Sequence, residues 1–205
     1  MIAIVDYRAG NLTSVARALH YLGEHCLITS DLNELRRADR IIFPGVGAAG
    51  EAMANLRQRG LDHLLSECVQ GGKPVLGICL GTQVILEHSE ENDTACLGIV
   101  AGNVKRFPEN LQLKIPHMGW NHVDFRKNHP VFHGLPEGSE FYFVHSYYPA
   151  PADPELVAGW TEYGLRFCAA LTYRNLAAVQ FHPEKSGRPG LKILSNFCRW
   201  KGGEC

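Results

Sequence analysis

A short turn between an apolar segment and a helical pattern constrains the fold of this chain more than any other feature. Residues 74–83 read Pro-Val-Leu-Gly-Ile-Cys-Leu-Gly-Thr-Gln, so an apolar strand ends at a Gly-x-Cys-x-Gly turn and a helix follows at once. This order is typical of a nucleophile elbow, here with cysteine as the nucleophile. Glycines on both sides of Cys79 let strand and helix approach, while the tight turn strains the nucleophile's backbone. The pattern predicts an α/β fold with Cys79 at the carboxyl end of a buried strand.

The same turn favours the reactive, deprotonated form of the Cys79 sulfur. Unpaired amides at the start of the following helix, together with the helix dipole, favour a thiolate, which is the nucleophilic form of cysteine. The amide of Leu80 then points to where an oxyanion would form. The alternative is a buried, inert cysteine at a glycine-rich turn, since cysteine is among the most buried residue types.

Strand-like apolar runs alternate with helical patterns through the first half of the chain. Strands are predicted at 1–6, 26–29, 40–43 and 74–78, and helices at 12–22, 48–70 (broken near Gly60) and 80–87. Asn11 is the predicted N-cap of the first helix. Beyond residue 98, strand-like segments separated by Pro and Gly precede one helical pattern at 189–200. We expect an α/β fold with an open, mostly parallel sheet flanked by helices, an antiparallel extension and a C-terminal helix.

Composition excludes several classes of protein. With 205 residues, 45% of them hydrophobic, the chain can bury a core without disulfides or metals. A formal net charge of −1 gives no reason to expect nucleic acid or a membrane as partner, and no apolar run reaches the length of a membrane span. Seven cysteines without a CxxC pair, and no secretory signal, predict reduced thiols in the cytoplasm. No repeat or linker divides residues 1–205, so we expect one domain.

His182 is the residue best placed to act as base for Cys79. It ends an apolar run and precedes Pro183, which disfavours helix at the residue before it and so holds His182 extended. In an extended chain, side chains two residues apart share a face, so Glu184 can orient the imidazole. Taken alone, a surface histidine beside a solvated glutamate is an equally good interpretation. Because Cys79 and His182 both follow predicted strands, where α/β active sites lie, the two segments together favour a Cys-His-Glu triad.

Gly45, Gly47 and Gly50 form a glycine-rich segment after the third predicted strand. Their G-x-G-x-x-G spacing formally matches a dinucleotide-binding fingerprint. Pro44 interrupts the strand–glycine junction, and the next strand ends at Cys79 instead of a ribose-binding acid, which argues against nucleotide binding. We expect a flexible loop whose Val46 or Gly47 amide donates a second hydrogen bond to the oxyanion; a plain turn is the alternative.

The segment 114–121, Lys-Ile-Pro-His-Met-Gly-Trp-Asn, is rich in residue types found at protein interfaces. Met118 and Trp120 stand beside polar His117 and Asn121 in what we interpret as a loop. The segment is either an exposed anchor for a partner or ordinary packing, and composition does not separate the two.

Together these segments resemble the triad (class I) glutamine amidotransferases. The resemblance extends from end to end and is carried by residues 6–15, 43–47, 77–83, 116–121, 142–147 and 180–187. The Gly-x-Cys-x-Gly turn and His-Pro-Glu at 182–184 mark the family. Pro-His-Met-Gly-Trp-Asn at 116–121 and His-Pro-Glu-Lys-Ser-Gly at 182–187 narrow the resemblance to the glutaminase subunits of imidazole glycerol phosphate synthases, which serve histidine biosynthesis. Arg8 departs from the glycine expected in the opening motif, and we expect it to alter only an exposed loop.

The resemblance implies a reaction and a role for each residue. Cys79 would attack the side-chain amide of L-glutamine, with His182 as base and then acid and Glu184 orienting His182. A glutamyl thioester would form, ammonia would leave, and water would release glutamate, with no metal or cofactor. The oxyanion would be held by the amides of Leu80 and of Val46 or Gly47. The rest of the substrate would be held by Gly45, Gln83, His145, Ser146 and Tyr147.

The resemblance also implies a partner. Ammonia would pass to a (β/α)₈ cyclase subunit in a heterodimer, where imidazole glycerol phosphate and AICAR are formed. The residues expected to face that subunit are Pro116, His117, Met118, Trp120, Asn121 and Tyr142.

Two other functions remain open at this point. A stand-alone cysteine hydrolase of the same fold, such as a γ-glutamyl hydrolase or peptidase, would be fully active without a partner. A binding or regulatory module would keep the fold without catalysis, although intact Cys79, His182 and Glu184 argue against it.

Overall fold

The computed structural model describes residues 1–8, 10–126 and 128–203. Its helices are α1 (Leu12–Tyr21), α2 (Leu32–Arg37), α3 (Ala49–Gln58), α4 (Leu61–Gln70), α5 (Leu80–Val84) and α6 (Gly187–Arg199). Its strands are β1 (Ile2–Val5), β2 (Cys26–Thr29), β3 (Arg40–Gly45), β4 (Val75–Cys79), β5 (His88–Ser89), β6 (Thr94–Ala95), β7 (Gly102–Arg106), β8 (His117–His122), β9 (Asp124–Phe125), β10 (Glu140–His145), β11 (Tyr147–Pro151), β12 (Val157–Glu162), β13 (Arg166–Tyr173) and β14 (Leu176–Val179).

The main sheet has eight strands in the order β2-β1-β3-β4-β14-β13-β12-β9. The strands from β2 to β14 pair in parallel, and β13, β12 and β9 extend the sheet in antiparallel fashion. Two smaller sheets, β10-β8 and β11-β7-β5-β6, accompany it. The predicted fold class, a mostly parallel sheet with flanking helices and an antiparallel extension, is confirmed.

The central strands are buried on both faces because helices cover both. Along β1, Ile2 and Ile4 belong to the core cluster that includes residues of α1 and α6, whereas Ala3 and Val5 belong to the cluster that includes residues of α3 and α4. Successive side chains of a strand point to opposite faces, so such a strand needs apolar residues at every position. This is why uninterrupted apolar runs marked these strands in the sequence.

The helix α2 was missed by the sequence analysis. It spans six residues, too few to show an apolar period. The side chain of Asp31 caps it by accepting hydrogen bonds from the amides of Asn33 (2.8 Å) and Glu34 (3.0 Å). The spacing of Asp31 and Glu34 resembles a capping box and was the signal available to find this helix.

The helix after the elbow is shorter than the predicted 80–87. It ends at Val84 because amides of a later segment, Leu97 and Ile99, take the carbonyls of Val84 and Ile85 at 2.9 Å each. A helix this short has a small dipole, so its free first-turn amides are the main electrostatic contribution to the sulfur.

Two expectations from composition can be compared with the structure. The six cysteines in the described ranges are free thiols, and Cys205 lies outside those ranges. Among the described helices, none combines the length and the apolar character that crossing a bilayer requires.

Candidate active site

The turn at Cys79 is a strained elbow. Cys79 has φ 54° and ψ −109°, a positive-φ conformation that residues with a Cβ rarely adopt. A Cβ on Gly81 would lie 1.9 Å from the carbonyl oxygen of Phe43 in β3, so the close approach of this strand requires glycine. A Cβ on Gly77 would meet the Cβ of Ala178 at 3.1 Å, a milder crowding. The two glycines of the turn therefore differ in how strictly they are needed.

We expect Gly81→Ala to lower the free energy of unfolding by about 3 kcal/mol or more, because the new methyl group collides with a backbone oxygen held in β3. Gly77→Ala is the matched control, with an expected loss of about 1 kcal/mol, since its neighbour is a side-chain methyl group. Urea denaturation of both variants measures the difference. Equal losses would mean that the approach of β3 to the elbow is not what requires glycine at Gly81.

Cys79, His182 and Glu184 meet at one edge of the sheet. Strands β4 and β14 are parallel neighbours, so the chain leaves both at the same edge. Nδ1 of His182 lies 2.8 Å from Oε1 of Glu184, and both side chains are almost completely buried. Nε2 of His182 has no hydrogen-bond partner within the described ranges, so it is available to the sulfur of Cys79.

The charges around His182 favour its protonated form. Burial opposes protonation of the imidazole, but its interactions with Cys79 and Glu184 outweigh burial and raise the pKa of His182 to about 10. At neutral pH His182 therefore already holds the proton that a departing amine needs.

Asn11 contacts this site, a role that the sequence analysis missed. It stands at the N-cap position of α1 with φ 75°, but its side chain makes no capping hydrogen bond, so the predicted capping interaction is wrong. Its Nδ2 donates instead to Oε1 of Glu184, 173 residues away. This bond gives the buried carboxylate a second donor besides His182. Such a separation in sequence explains why no local pattern indicated the contact.

A pocket of about 290 Å³ opens over Cys79. Its lining includes every predicted oxyanion and substrate residue except Gly45, namely Leu80, Val46, Gly47, Gln83, His145, Ser146 and Tyr147. Gly45 ends β3 opposite Cys79, and a Cβ there would lie 1.9 Å from the hydroxyl oxygen of Tyr7. Packing against Tyr7 thus explains this glycine, and Gly45 is not among the residues that line the pocket. Gly47, with φ 104°, carries the conformational freedom of the loop.

Glu91 is a further pocket residue that the sequence analysis missed. It is among the residues that line the pocket and accepts a hydrogen bond from the amide of Ala49 at the start of α3 (2.6 Å). It is the only acidic side chain in the described lining. The acidic run around it, Glu-Glu-Asn-Asp at 90–93, is typical of a solvated surface turn and gave no signal of a site.

Two buried histidines contact each other at the pocket: His145 is part of its lining and His117 is not. His145 lies 2.8 Å through Nδ1 from the carbonyl of Tyr147, which can only accept, so its Nε2 is left to accept from Nδ1 of His117 at 3.0 Å. Desolvation lowers the pKa of His145 to about 3 and that of His117 to about 4, so both are neutral at physiological pH. His117 is 2% exposed, and its predicted contact with a partner is therefore wrong.

Except for Pro116, residues 116–121 lie in strand β8 and not in the predicted loop. Their side chains therefore point alternately to the two sides of the strand. Met118 and Trp120 are 62% and 55% exposed, and Tyr142 of β10 lies opposite Trp120 with ring centroids 6.1 Å apart. Asn121 turns away and donates to the carbonyl of Glu162 (2.8 Å). We call Met118, Trp120 and Tyr142, with exposed Pro116, the outer face of β8 and β10. Of the six predicted interface residues, Pro116, Met118 and Trp120 are exposed, Tyr142 and Asn121 are half-buried, and His117 is buried.

The described residues contain no group of three or more His, Cys, Asp or Glu side chains placed to hold a metal ion.

Comparison with known proteins places the chain in a family. Residues 3–200 match the family model described as glutamine amidotransferase class-I. The chain is 50% identical over 205 residues to the imidazole glycerol phosphate synthase subunit HisH of Dehalococcoides mccartyi, covering 100% of this chain and 99% of that protein. It is 51% identical over 206 residues to the subunit of the same name from Nitratidesulfovibrio vulgaris, covering 98% and 96%.

Solved structures agree at the level of fold. A crystal structure of a glutamine amidotransferase superposes with a TM-score of 0.72 at 18% identity, covering 97% of this chain and 100% of the other. PurLQS from Thermotoga maritima gives 0.73 at 17% identity, covering 96% of each chain. The chain therefore belongs to the class I glutamine amidotransferase family, in the group of imidazole glycerol phosphate synthase HisH subunits.

Proposed function

We propose that this chain hydrolyses L-glutamine to glutamate and ammonia through a thioester on Cys79 and passes the ammonia to a (β/α)₈ cyclase subunit of imidazole glycerol phosphate synthase. The observation that carries the proposal is the buried Cys79–His182–Glu184 arrangement at the base of a pocket. Full-length similarity to HisH subunits supports the substrate and the place in histidine biosynthesis.

The reaction uses the geometry of the triad in two half-reactions. The thiolate of Cys79 adds to the side-chain carbonyl carbon of glutamine, and the resulting oxyanion is stabilised by the amides of Leu80 and of Val46 or Gly47. The imidazolium of His182 protonates the departing ammonia, which leaves a glutamyl thioester. Neutral His182 then takes a proton from the attacking water, the carbon–sulfur bond breaks, and glutamate leaves, which restores the thiolate of Cys79 and the imidazolium of His182.

Other residues that line the pocket suit the α-amino acid group of the substrate. The carboxylate of Glu91 can pair with the α-ammonium group, and the backbone of Ser146 and Tyr147 offers polar groups beside it. Gln83 presents its Oε1 to the same space, because both hydrogens of its Nε2 are already bonded within the protein.

The partner would bind the outer face of β8 and β10. An exposed Trp120 beside Met118 is an apolar anchor of the kind that dominates binding energy at interfaces. Hydrolysis without a partner would waste glutamine, so we expect the Gly47 loop to be misaligned at rest and to align in the loaded complex. We also infer a cytoplasmic location, in keeping with the free thiols of the described cysteines.

The test is co-purification with the cyclase subunit followed by a glutaminase assay. We expect turnover to rise about 100-fold when the complex holds the cyclase's ligand, because loop alignment is coupled to that ligand. Trp120→Ala should weaken the complex about tenfold or more. Tyr21→Ala is the matched control, because Tyr21 is an exposed aromatic residue on α1, away from the outer face, and should leave binding unchanged. Full turnover without the cyclase would instead favour a stand-alone cysteine hydrolase.

A further inference from the structure

We infer that Gln180 is a further catalytic residue, whose side-chain amide donates a hydrogen bond to the sulfur of Cys79 and stabilises the thiolate. The inference rests on the proposed thiol chemistry at Cys79. Gln180 lies between the end of β14 and His182, is 0% exposed, and has its Nε2 3.7 Å from Sγ of Cys79. It thus contacts the reacting atom without lining the open pocket.

The orientation of the Gln180 amide follows from a nearby backbone carbonyl, which can accept a hydrogen bond but cannot donate one. The backbone carbonyl of Tyr147 can only accept, so the terminal atom of Gln83 that lies 2.9 Å from it must be Nε2. The same Nε2 lies 3.0 Å from Gln180, so the atom of Gln180 at that contact is Oε1. The end of Gln180 that faces the sulfur is therefore the NH₂ donor.

The Tyr147 carbonyl is itself held in place. Nδ1 of His145 lies 2.8 Å from it, and His145 is locked in turn by His117 at 3.0 Å. Buried side-chain amides are normally hydrogen-bonded. The Gln180 amide accepts from Gln83 through its oxygen and donates to the sulfur of Cys79 through its nitrogen. A hydrogen bond to a charged acceptor is stronger than one to a neutral acceptor, so this donor favours the thiolate over the thiol.

Other groups also act on the sulfur, and the test must separate them from Gln180. The titratable groups that face Cys79 or line its pocket are His182, Tyr7, Glu91, His145 and Tyr147. All five are unchanged when Gln180 alone is replaced. The rate at which iodoacetamide alkylates Cys79 reports the thiolate directly and needs neither substrate nor partner.

The experiment compares Gln180→Met, which keeps the length of the side chain but has no N–H donor, with Gln180→Glu, which keeps the shape. We expect each to slow alkylation at pH 7 about tenfold, because a charge-assisted hydrogen bond is lost. At pH 10, where cysteine thiols in general are ionised, the difference should shrink. A purely structural defect would lower the rate alike at both pH values. Gln83→Met removes the hydrogen bond that fixes the orientation of the Gln180 amide. It should therefore slow alkylation at pH 7, but by less than the Gln180 substitutions do.

Thr82→Val is the matched control. Thr82 is equally buried, and its Oγ1 donates to the carbonyl of Val179 (2.6 Å), but no hydrogen bond links it to the sulfur. Its alkylation rate should equal that of the unmodified protein. Wild-type rates in folded Gln180 variants, or equal losses in Thr82→Val, would overturn the inference. If the unmodified protein lacks glutaminase activity with its partner but the Gln180 variants still alkylate slowly, the proposed function fails while the role of Gln180 stands.

Discussion

Replacing Cys79 with alanine should lower glutaminase activity of the complex by at least about 10⁴-fold, while synthesis from added ammonia continues. The expectation follows from the division of labour between the subunits: the sulfur is needed to release ammonia but not to use it. Alanine also fits the site, because Cys79 packs in a buried position and loses only its sulfur.

The measurement is the rate of product formation by the complex with glutamine and, separately, with an ammonium salt. Cys68→Ala is the control, since Cys68 is a buried free thiol on α4 that is not among the residues lining the pocket. It should retain both activities. If Cys79→Ala abolished ammonia-dependent synthesis as well, Cys79 would be needed for the architecture of the complex and not for the release of ammonia.

Glu184→Gln should lower glutaminase turnover by about 10⁴-fold, as loss of the orienting carboxylate does in other triads. The variant keeps an oxygen that can accept from His182 but removes the negative charge. Without that charge, the buried imidazole loses one of the two interactions that raise the pKa of His182 to about 10. His182 would then release its proton at a lower pH.

The pH dependence of turnover shows in which direction the pKa of His182 changes in this variant. A raised pKa keeps His182 protonated through neutral pH, so turnover in the unmodified protein should decline only as pH approaches about 10. In Glu184→Gln the decline should begin at lower pH, nearer the ordinary histidine value of 6.5. Glu34→Gln, at a half-buried carboxylate bonded to Thr29 away from the pocket, is the control. A profile of Glu184→Gln that coincides with the unmodified one would show that the charge of Glu184 does not act on His182.

The spacing of residues within short windows was sufficient to predict the segments that carry the reactive side chains. The elbow at Cys79, the His-Pro-Glu turn and the apolar runs of the central strands each depend on residues within a few positions of one another. Steric rules for glycine and proline and the two-sided burial of parallel strands therefore made them recognisable. Misjudged segments were those whose state depends on distant partners. The length of α5 is set by Leu97 and Ile99, and residues 117–122 form a strand because β10 pairs with them.

The amino-acid order thus specified the nucleophile, its base and the type of fold, since those rest on short-range geometry. Only strand order in the folded sheet brought Asn11 to Glu184 across 173 residues, and Gln83 to Gln180 across 97. The same holds for the burial of His117 and the accessibility of Trp120, which the pairing of β8 with β10 imposes. Such contacts arise from which strands become neighbours, a property of the whole chain that no short window of sequence contains.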